Sequence, residues 1–413
     1  MLNSRLKSRT LPSGLFVSWS LFMVLPAVGI LHAQTTSAPG NDAPSSVKID
    51  LPADSPVTLI SYSMGQTHMT ARGGAMVLDL DMSLTLRNSG SRSVRDVMLL
   101  ITAQEFTPGG KGSVARPCID VPAGQNFTLP IKLRLVRPVQ QSNGPVHVQL
   151  DGVLFDDLSF YGPNRLNSQR AMTLWEVEAQ RDRTYYKQIL QAKGEDGLKN
   201  EILNSMKKAG DRPQLDVALS HNGRAVGSAV ASSADGGRVP DQVHFAFLEL
   251  PDAPVLAVQG QAGIVGNEVR SPWIEVQNLD KKKSVRYVEI GWVVKDKEGN
   301  EYLVGSVPGS GVSALNTSGA GPNAVIQAGQ RGRLEPDATL RFSHSGRPVD
   351  IASMTGFVTQ VEFADGKMWV PSRKDLSSSP LLRTMSPSTE EQRLLDIYAR
   401  QGLSALLADL AKY

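Results

Sequence analysis

The chain holds one cysteine among its 413 residues, Cys118, so no internal disulfide can form and stability has to come from packing. Cys118 reads as a small buried hydrophobe, and it does not stand just behind the N-terminal apolar run, where a lipid anchor would attach. Charge imbalance is also missing. The whole chain has 43 basic and 40 acidic residues, and Arg5, Lys7 and Arg9 are the only charged ones before Ala33, so 40 face 40 beyond it. A balanced chain has no broad field with which to seek nucleic acid or anionic lipid. No second apolar stretch near 20 residues follows the first, which argues against a transmembrane span in the mature chain.

Local chemistry is equally sparse. His68, His147, His221, His244 and His344 are far apart, and none lies three to five residues from another histidine or the cysteine, which removes the usual local zinc signatures. Asp79 with Asp81, and Asp156 with Asp157, lack the spacing of an Asp-rich calcium loop and read as solvated strand and turn acids. Gly309-Ser-Gly311 sits in a Gly, Ser and Asn-rich run from Gly305 to Gly321 with no helix opening behind it, so it reads as a loop rather than a phosphate cradle. There is no Gly-x-Ser-x-Gly elbow. The expectation is therefore no catalytic, cofactor-binding or metal residue, and no enzyme.

What is present begins with Arg5, Lys7 and Arg9 ahead of a nearly uninterrupted apolar run from Leu15 to Leu31, ending Leu-His-Ala33. That layout predicts a signal peptide over residues 1–33 and hence export to the periplasm, outer envelope or extracellular space. Residues 34–56 are rich in Thr, Ser, Ala, Pro and Gly and read as a disordered leader.

The chain then writes one stretch twice. Val153-Leu-Phe155-Asp-Asp157 leads through Tyr161 and Pro163 to Arg165, and Val361-Glu-Phe363-Ala-Asp365 leads through Trp369 and Pro371 to Arg373, each matching residue 208 positions on. Alternating apolar positions around an Asp-centred turn predict a final β-hairpin, with proline closing the strand because it cannot donate to a ladder. Upstream, Met76, Leu78, Leu80, Met82, Leu84 and Leu86 alternate with mostly polar residues, a period of two that marks a half-buried strand. About seven short strands in roughly 105 residues is the pattern of an immunoglobulin-like β-sandwich. Leu84-Thr-Leu86-Arg-Asn88 and Ser93-Val94-Arg95 recur as Ile274-Glu-Val276-Gln-Asn278 and Ser284-Val285-Arg286, around a Lys281–Lys283 turn read as a solvated tip.

The expected organisation is a sandwich over 57–165, a helical segment over 166–210, connecting strands and a Gly/Ser-rich loop over 211–254, a second sandwich over 255–373, a linker over 374–387 and C-terminal helices over 388–413. In the first helix Leu174, Val177, Arg181, Tyr185 and Ile189 form one stripe. Gly194 to Gly197 breaks it and Leu198, Ile202 and Met206 continue; in the last segment Ser388 and Glu391 suggest a capping box and Gly402 a break. The connecting strands either extend the second sandwich or bridge the two. Trp292, Tyr161, Trp369 and Trp175 read as packing residues, and Trp273, Tyr287 and Tyr302 are left open between core and ligand contact. Arg165 and Arg373 are expected to pin their hairpins by pairing with Asp157 and Asp365.

The paired Leu-x-Leu-x-Asn and Val-x-Phe-x-Asp stretches resemble bacterial exported and envelope proteins built from tandem immunoglobulin-like or fibronectin-like modules, over residues 57–165 and 255–373. The likeness departs from antibody-type domains in lacking paired cysteines, and it brings no active-site residue with it. It implies a mainly β fold with appended helices, duplicated as sandwich plus broken helix. The function expected is a non-enzymatic exported scaffold whose partner is another envelope or extracellular protein. A carbohydrate or small-ligand binder is the alternative, then a hydrolase with a dispersed site.

Overall fold

The computed structural model describes residues 46–413 except 107, 140–143, 211–214, 222–239, 305–311, 314–324, 336–337 and 379–386. The expected signal peptide, most of the leader, the glycine-rich stretch near 223–237 and most of the 305–321 loop thus lie outside the described residues.

The first strands are β1 (Val47–Asp50), β2 (Val57–Met64), β3 (His68–Arg72), β4 (Ala75–Asn88), β5 (Val94–Thr102), β6 (Lys111–Arg116), β7 (Asn126–Pro138), β8 (Val146–Phe155) and β9 (Phe160–Tyr161). β4 is the axis of one sheet. β7 runs antiparallel to it from Ala75↔Pro138 to Arg87↔Asn126, while β2 and β3 share its other side. The second sheet has the order β1-β8-β5-β6, with β9 folded back on β8. Alternation on β4 does what its period demands: Leu78, Leu80, Met82, Leu84 and Leu86 are at most 2% exposed. They meet Val97, Leu99, Ile101, Val148 and Val153 of the facing sheet in one core, each such side chain worth about 1.5–3 kcal/mol of burial. β5 is buried along nearly its whole length because helix α1 (Ser168–Gly210) covers its outer side, setting Met172 against Met98 and Leu154.

The second half repeats the scheme with β10 (Asp216–His221), β11 (Asp241–His244), β12 (Ala246–Leu248), β13 (Val255–Val265), β14 (Glu268–Asn278), β15 (Val285–Asp296), β16 (Glu301–Val304), β17 (Val312–Ser313), β18 (Arg331–Leu334), β19 (Ala338–His344), β20 (Arg347–Pro348), β21 (Ile351–Phe363) and β22 (Met368–Trp369). One sheet runs β10-β19-β14-β13-β11 and the other β12-β21-β15-β16. Val269, Ile274 and Val276 of the first meet Ile290, Trp292, Val294 and Val361 of the second. The segments whose placement the sequence left open, β10, β11 and β12, all join this second pair of sheets.

Several bonding features occur in both halves. β1 pairs parallel with β8, and β12 parallel with β21. Behind each comes a proline-bounded turn, Leu51-Pro-Ala-Asp-Ser-Pro-Val57 and Leu250-Pro-Asp-Ala-Pro-Val255, closed by Ser55 N donating to Pro52 O and Ala253 N to Leu250 O, both at 3.0 Å. Each following strand slips register near its start, between Leu59 and Ser61 and between Ala257 and Gln259, and the second slips again between Gln261 and Gly263. Asn88 and Asn278, both fully buried, donate through Nδ2 to the carbonyls of Arg92 and Val121 (2.8 and 2.8 Å) and of Lys283 and Ile326 (2.8 and 3.2 Å). The closing hairpins pair Val153↔Tyr161 and Val361↔Trp369.

Helices α2 (Arg373–Ser378), α3 (Thr389–Gln401) and α4 (Leu403–Leu410) complete the chain. Tyr186, Leu198 and Ile202 of α1 share a cluster with Leu394, Leu395, Leu406 and Leu410. α1 bends at Gly194, whose φ of 67° is a left-handed conformation that glycine takes without a Cβ clash, and φ is 82° at Gly402 between α3 and α4.

Several expectations change. Order begins before Val57, since β1 lies inside the expected leader: its Val and Ile, spaced by charge, complete the edge of β8. α2 occupies the first part of the expected linker. The stripe read on α1 is only half buried. The buried line runs through Met172, Glu176, Ala179, Arg183 and Tyr186, because two of its members are charged and a hydrophobic count passes over them. Half of the capping box exists: Ser388 Oγ accepts from Glu391 N at 3.0 Å, while the Glu391 carboxylate turns to Arg373 instead of back to Ser388.

Candidate functional site

The chemistry in this molecule concentrates where the hairpin ends and the helices meet. Arg373 opens α2 two residues after Pro371, which closes the second hairpin, and its guanidinium lies between α1 and α3. It donates to both oxygens of Glu391 (Nη1–Oε2 2.7 Å, Nη2–Oε1 2.6 Å) and to Tyr186 Oη at 3.1 Å, with Asp182 at 3.5 Å. Asp182, fully buried, is also held by Arg181 (2.9 Å) and by the Ser388 hydroxyl. Burial pushes the Glu391 carboxyl up, but the Arg373 fork outweighs it and leaves the group below the usual carboxylate range. The Arg165–Asp157 and Arg373–Asp365 pairings expected from the repeat do not form. Arg165 donates to Gln149 (3.2 Å), Asp157 takes Arg92 (2.8 Å) and Asp365 takes Lys283 (3.3 Å). Arg165 thus reaches back to β8, whereas Arg373 points past the turn to α3.

A second cluster lies between β5, α1 and α3. Arg183, 4% exposed, donates to Glu390 Oε1 at 2.8 Å and Glu176 Oε1 at 3.1 Å, with the Tyr413 ring 3.7 Å from its carbon. Glu390 also receives Arg393, which reaches Asp409 at 2.6 Å. Beside them Asp96, fully buried, accepts the Cys118 N–H at 2.9 Å through Oδ1, while its Oδ2 has no hydrogen-bond partner. Burial pushes its carboxyl up to about 8, against the pull of the Cys118 N–H and with Glu176 adding to the rise.

A third set ties α1 to the second pair of sheets. Arg170 donates to Glu362 Oε2 at 2.6 Å, Arg286 holds the other oxygen, and Arg170 lies 4.2 Å over the Tyr287 ring.

Next to the second cluster, the 115–127 segment and the last two helices border a cleft of about 830 Å³. Its walls carry both signs, Arg116, Asp120, Arg393, Asp396 and Lys412 among them, and most are already engaged: Asp120 with Arg95 (2.7 Å), Asp396 with Gln392 (3.0 Å), Lys412 with Asp409 (3.2 Å). Cys118 borders it with a buried thiol that burial pushes far up, so it stays protonated and is a poor nucleophile. This geometry fixes elements against one another.

The residues singled out in the sequence scatter. Asp79 pairs with Arg134 (2.7 Å) and Asp81 with Lys132 (3.7 Å) across β4 and β7, and His147 with Asp50 (3.1 Å). Trp292 is core at 4% exposure, Trp273 lies under Arg333 at 4.1 Å, and Tyr302 bonds Asp296 at 3.3 Å. Lys281 and Lys282 are exposed at a turn organised by Asp280, which accepts from the N–H groups of Lys282 and Lys283. The side chain of His221 lies outside the described residues. Among the described residues no group of three or more His, Cys, Asp or Glu is placed to hold a metal ion, and no helix is long and apolar enough to cross a membrane. The residues missed by sequence reasoning are Arg183, Glu176, Glu390 and Asp96; their partners are up to 207 positions apart, and the only local signal was charge on an otherwise apolar helix face.

No family model matches the chain, and no curated protein does. Among solved structures it is similar to the crystal structure of a red sea bream transglutaminase, at 9% identity over 77% of this chain and 32% of that one, with a TM-score of 0.13. A likeness at that level carries no argument about fold or activity.

Proposed function

We propose that the protein is a non-enzymatic, exported scaffold of the cell envelope that binds another protein, built by duplication of an immunoglobulin-like sandwich trailed by a broken helix. The matched bonding of Asn88 and Asn278, the two parallel edge strands and the shared hairpin register support descent from one module. The module proposed runs from β1 and from β12, a little upstream of the boundaries at 57 and 255. One observation carries the scaffold reading. α1 packs Met172 on the first pair of sheets while its neighbour Arg170 holds Glu362 of the second, so both halves are fixed to one rod. Buried charges spent on one another favour rigidity over turnover. Trp273 and Tyr287 are each covered by an arginine, which weighs against the sugar-binding alternative. Affinity capture with the mature protein from its native envelope tests the reading. Stoichiometric recovery of one polypeptide is expected; turnover of an envelope polymer by the purified protein, or glycan binding without a protein partner, would overturn it.

A further inference from the structure

One polar cluster has bonds still to make. Between β5, α1 and α3, four buried side-chain atoms have no hydrogen-bond partner among the described residues: Arg95 Nε, Asp96 Oδ2, Glu176 Oε2 and Arg183 Nη2. Asp96, Glu176 and Arg183 are 0, 1 and 4% exposed. A β-bulge brings the first two together. The register with β8 passes from Val94 directly to Asp96, so Arg95 is the extra residue and the two adjacent side chains both reach toward α1. α1 supplies the other two. Arg183 Nη1 donates to Glu176 Oε1 at 3.1 Å, while Arg95 Nε stays 4.0 Å from that same oxygen, too far for a hydrogen bond.

Buried polar atoms left without a bond are destabilising, and in native folds an enclosed molecule making about three hydrogen bonds ordinarily serves them. The surrounding charges decide what that molecule is. A cation would sit against the guanidinium groups of Arg95 and Arg183, and an anion against Glu176, with Glu390 also bonded to Arg183 at 2.8 Å. A neutral guest is left, and it has to give and receive hydrogen bonds alike. We infer that a water molecule is enclosed here behind Tyr413, accepting from the Arg95 and Arg183 N–H groups and donating to Asp96 Oδ2 and Glu176 Oε2, so that it joins β5 to α1. Water suits both states of Asp96 because it can turn. With a proton on Oδ2, the state that burial maintains up to about pH 8, the water accepts from that hydroxyl and still donates to Glu176. Tyr413 closes one side: its ring centre lies 3.7 Å from the guanidinium carbon of Arg183 and 5.0 Å from that of Arg95. Tyr413 and Cys118, whose N–H Asp96 accepts, both border the cleft of about 830 Å³, so exchange with solvent runs through that cleft and past the ring.

A crystal structure of the mature protein at a resolution that orders water, with a parallel soak in sodium bromide, tests this. One peak within about 3.2 Å of at least three of the four atoms, giving no anomalous signal after the soak, is expected. Direct hydrogen bonds among the four atoms with no peak between them would overturn the inference, and so would a bromide signal, which would make the guest an anion. Magnetic relaxation dispersion of the solvent gives a second reading in solution. Tyr413→Ala should speed exchange of the enclosed water roughly tenfold or more and lower the dispersion amplitude by one slowly exchanging molecule. An amplitude the same in the variant and the parent rules the site out.

Discussion

Arg373 and Glu391 meet fork to fork, two parallel N–H···O contacts of 2.7 and 2.6 Å joining the end of a β-hairpin to the first turn of a helix. The carboxylate is 5% exposed and the guanidinium side chain 17%, so water screens the pair little. Arg373→Ala leaves Glu391 and Asp182 buried without their shared cation and is expected to cost about 3–5 kcal/mol in urea unfolding. Arg373→Lys keeps the charge but not the fork and should recover only part of that. Arg165→Ala, at the matching place in the first hairpin, should change stability by less than about 0.5 kcal/mol. Equal losses at the two arginines would contradict the assignment.

Asn88 and Asn278 each fasten three segments through one amide. Replacing either with alanine removes both amide contacts from a fully buried position, and each substitution should cost roughly 2–4 kcal/mol. Serine in the same place, too short to reach both carbonyls, should not rescue. Thermal denaturation of the two single variants measures this, and a loss under about 1 kcal/mol at either site would argue against the amide's role.

Asp96 gives stability a pH dependence with a definite sign. Its carboxyl has an ordinary value of 3.8 and is held up to about 8 in the folded protein. Between those values the folded state keeps a proton that the unfolded state has released. Its contribution is therefore complete below about pH 4 and is lost as pH rises to about 8, at up to about 1.4 kcal/mol per pH unit. Asp96→Asn keeps an acceptor for the Cys118 N–H and removes the titration. Chemical denaturation at pH 5 and pH 8 should show the variant less pH-sensitive than the parent and more stable than it at pH 8. An unchanged slope would remove Asp96 as the cause.

Cys118 is 2% exposed with its thiol pushed up by burial. A thiol-specific reagent at pH 8 should leave it untouched in the native protein and modify it stoichiometrically in denaturant. Rapid native labelling would mean that the 115–127 segment opens readily.

Much of the β architecture could be read from local pattern. Met76 to Leu86 announces a half-buried strand because a pleated backbone alternates its faces, and the Val-x-Phe-x-Asp stretches announce their hairpins. The prolines of Leu51–Val57 and Leu250–Val255 were also on view, but the two turns differ by one residue and are easily passed over without a gap. The helical junction was not legible. Arg183 and Glu390 look like surface residues until the fold brings them within 2.8 Å, since the energy that buries a charge comes from a partner the neighbouring sequence does not contain. For the same reason the recurrence of Arg165 and Arg373 suggested a shared role, although only Arg373 has an acidic first turn, that of α3, folded back on it.

The long helix that touches both pairs of sheets also governs how the protein can be divided. Fragments cut within residues 168–210 would each inherit half of a spine and a bare row of ionised groups, so neither half is expected to survive alone as a tidy module. A partner bound to both pairs of sheets, as proposed, would meet them at a fixed span, as in a caliper rather than a tether.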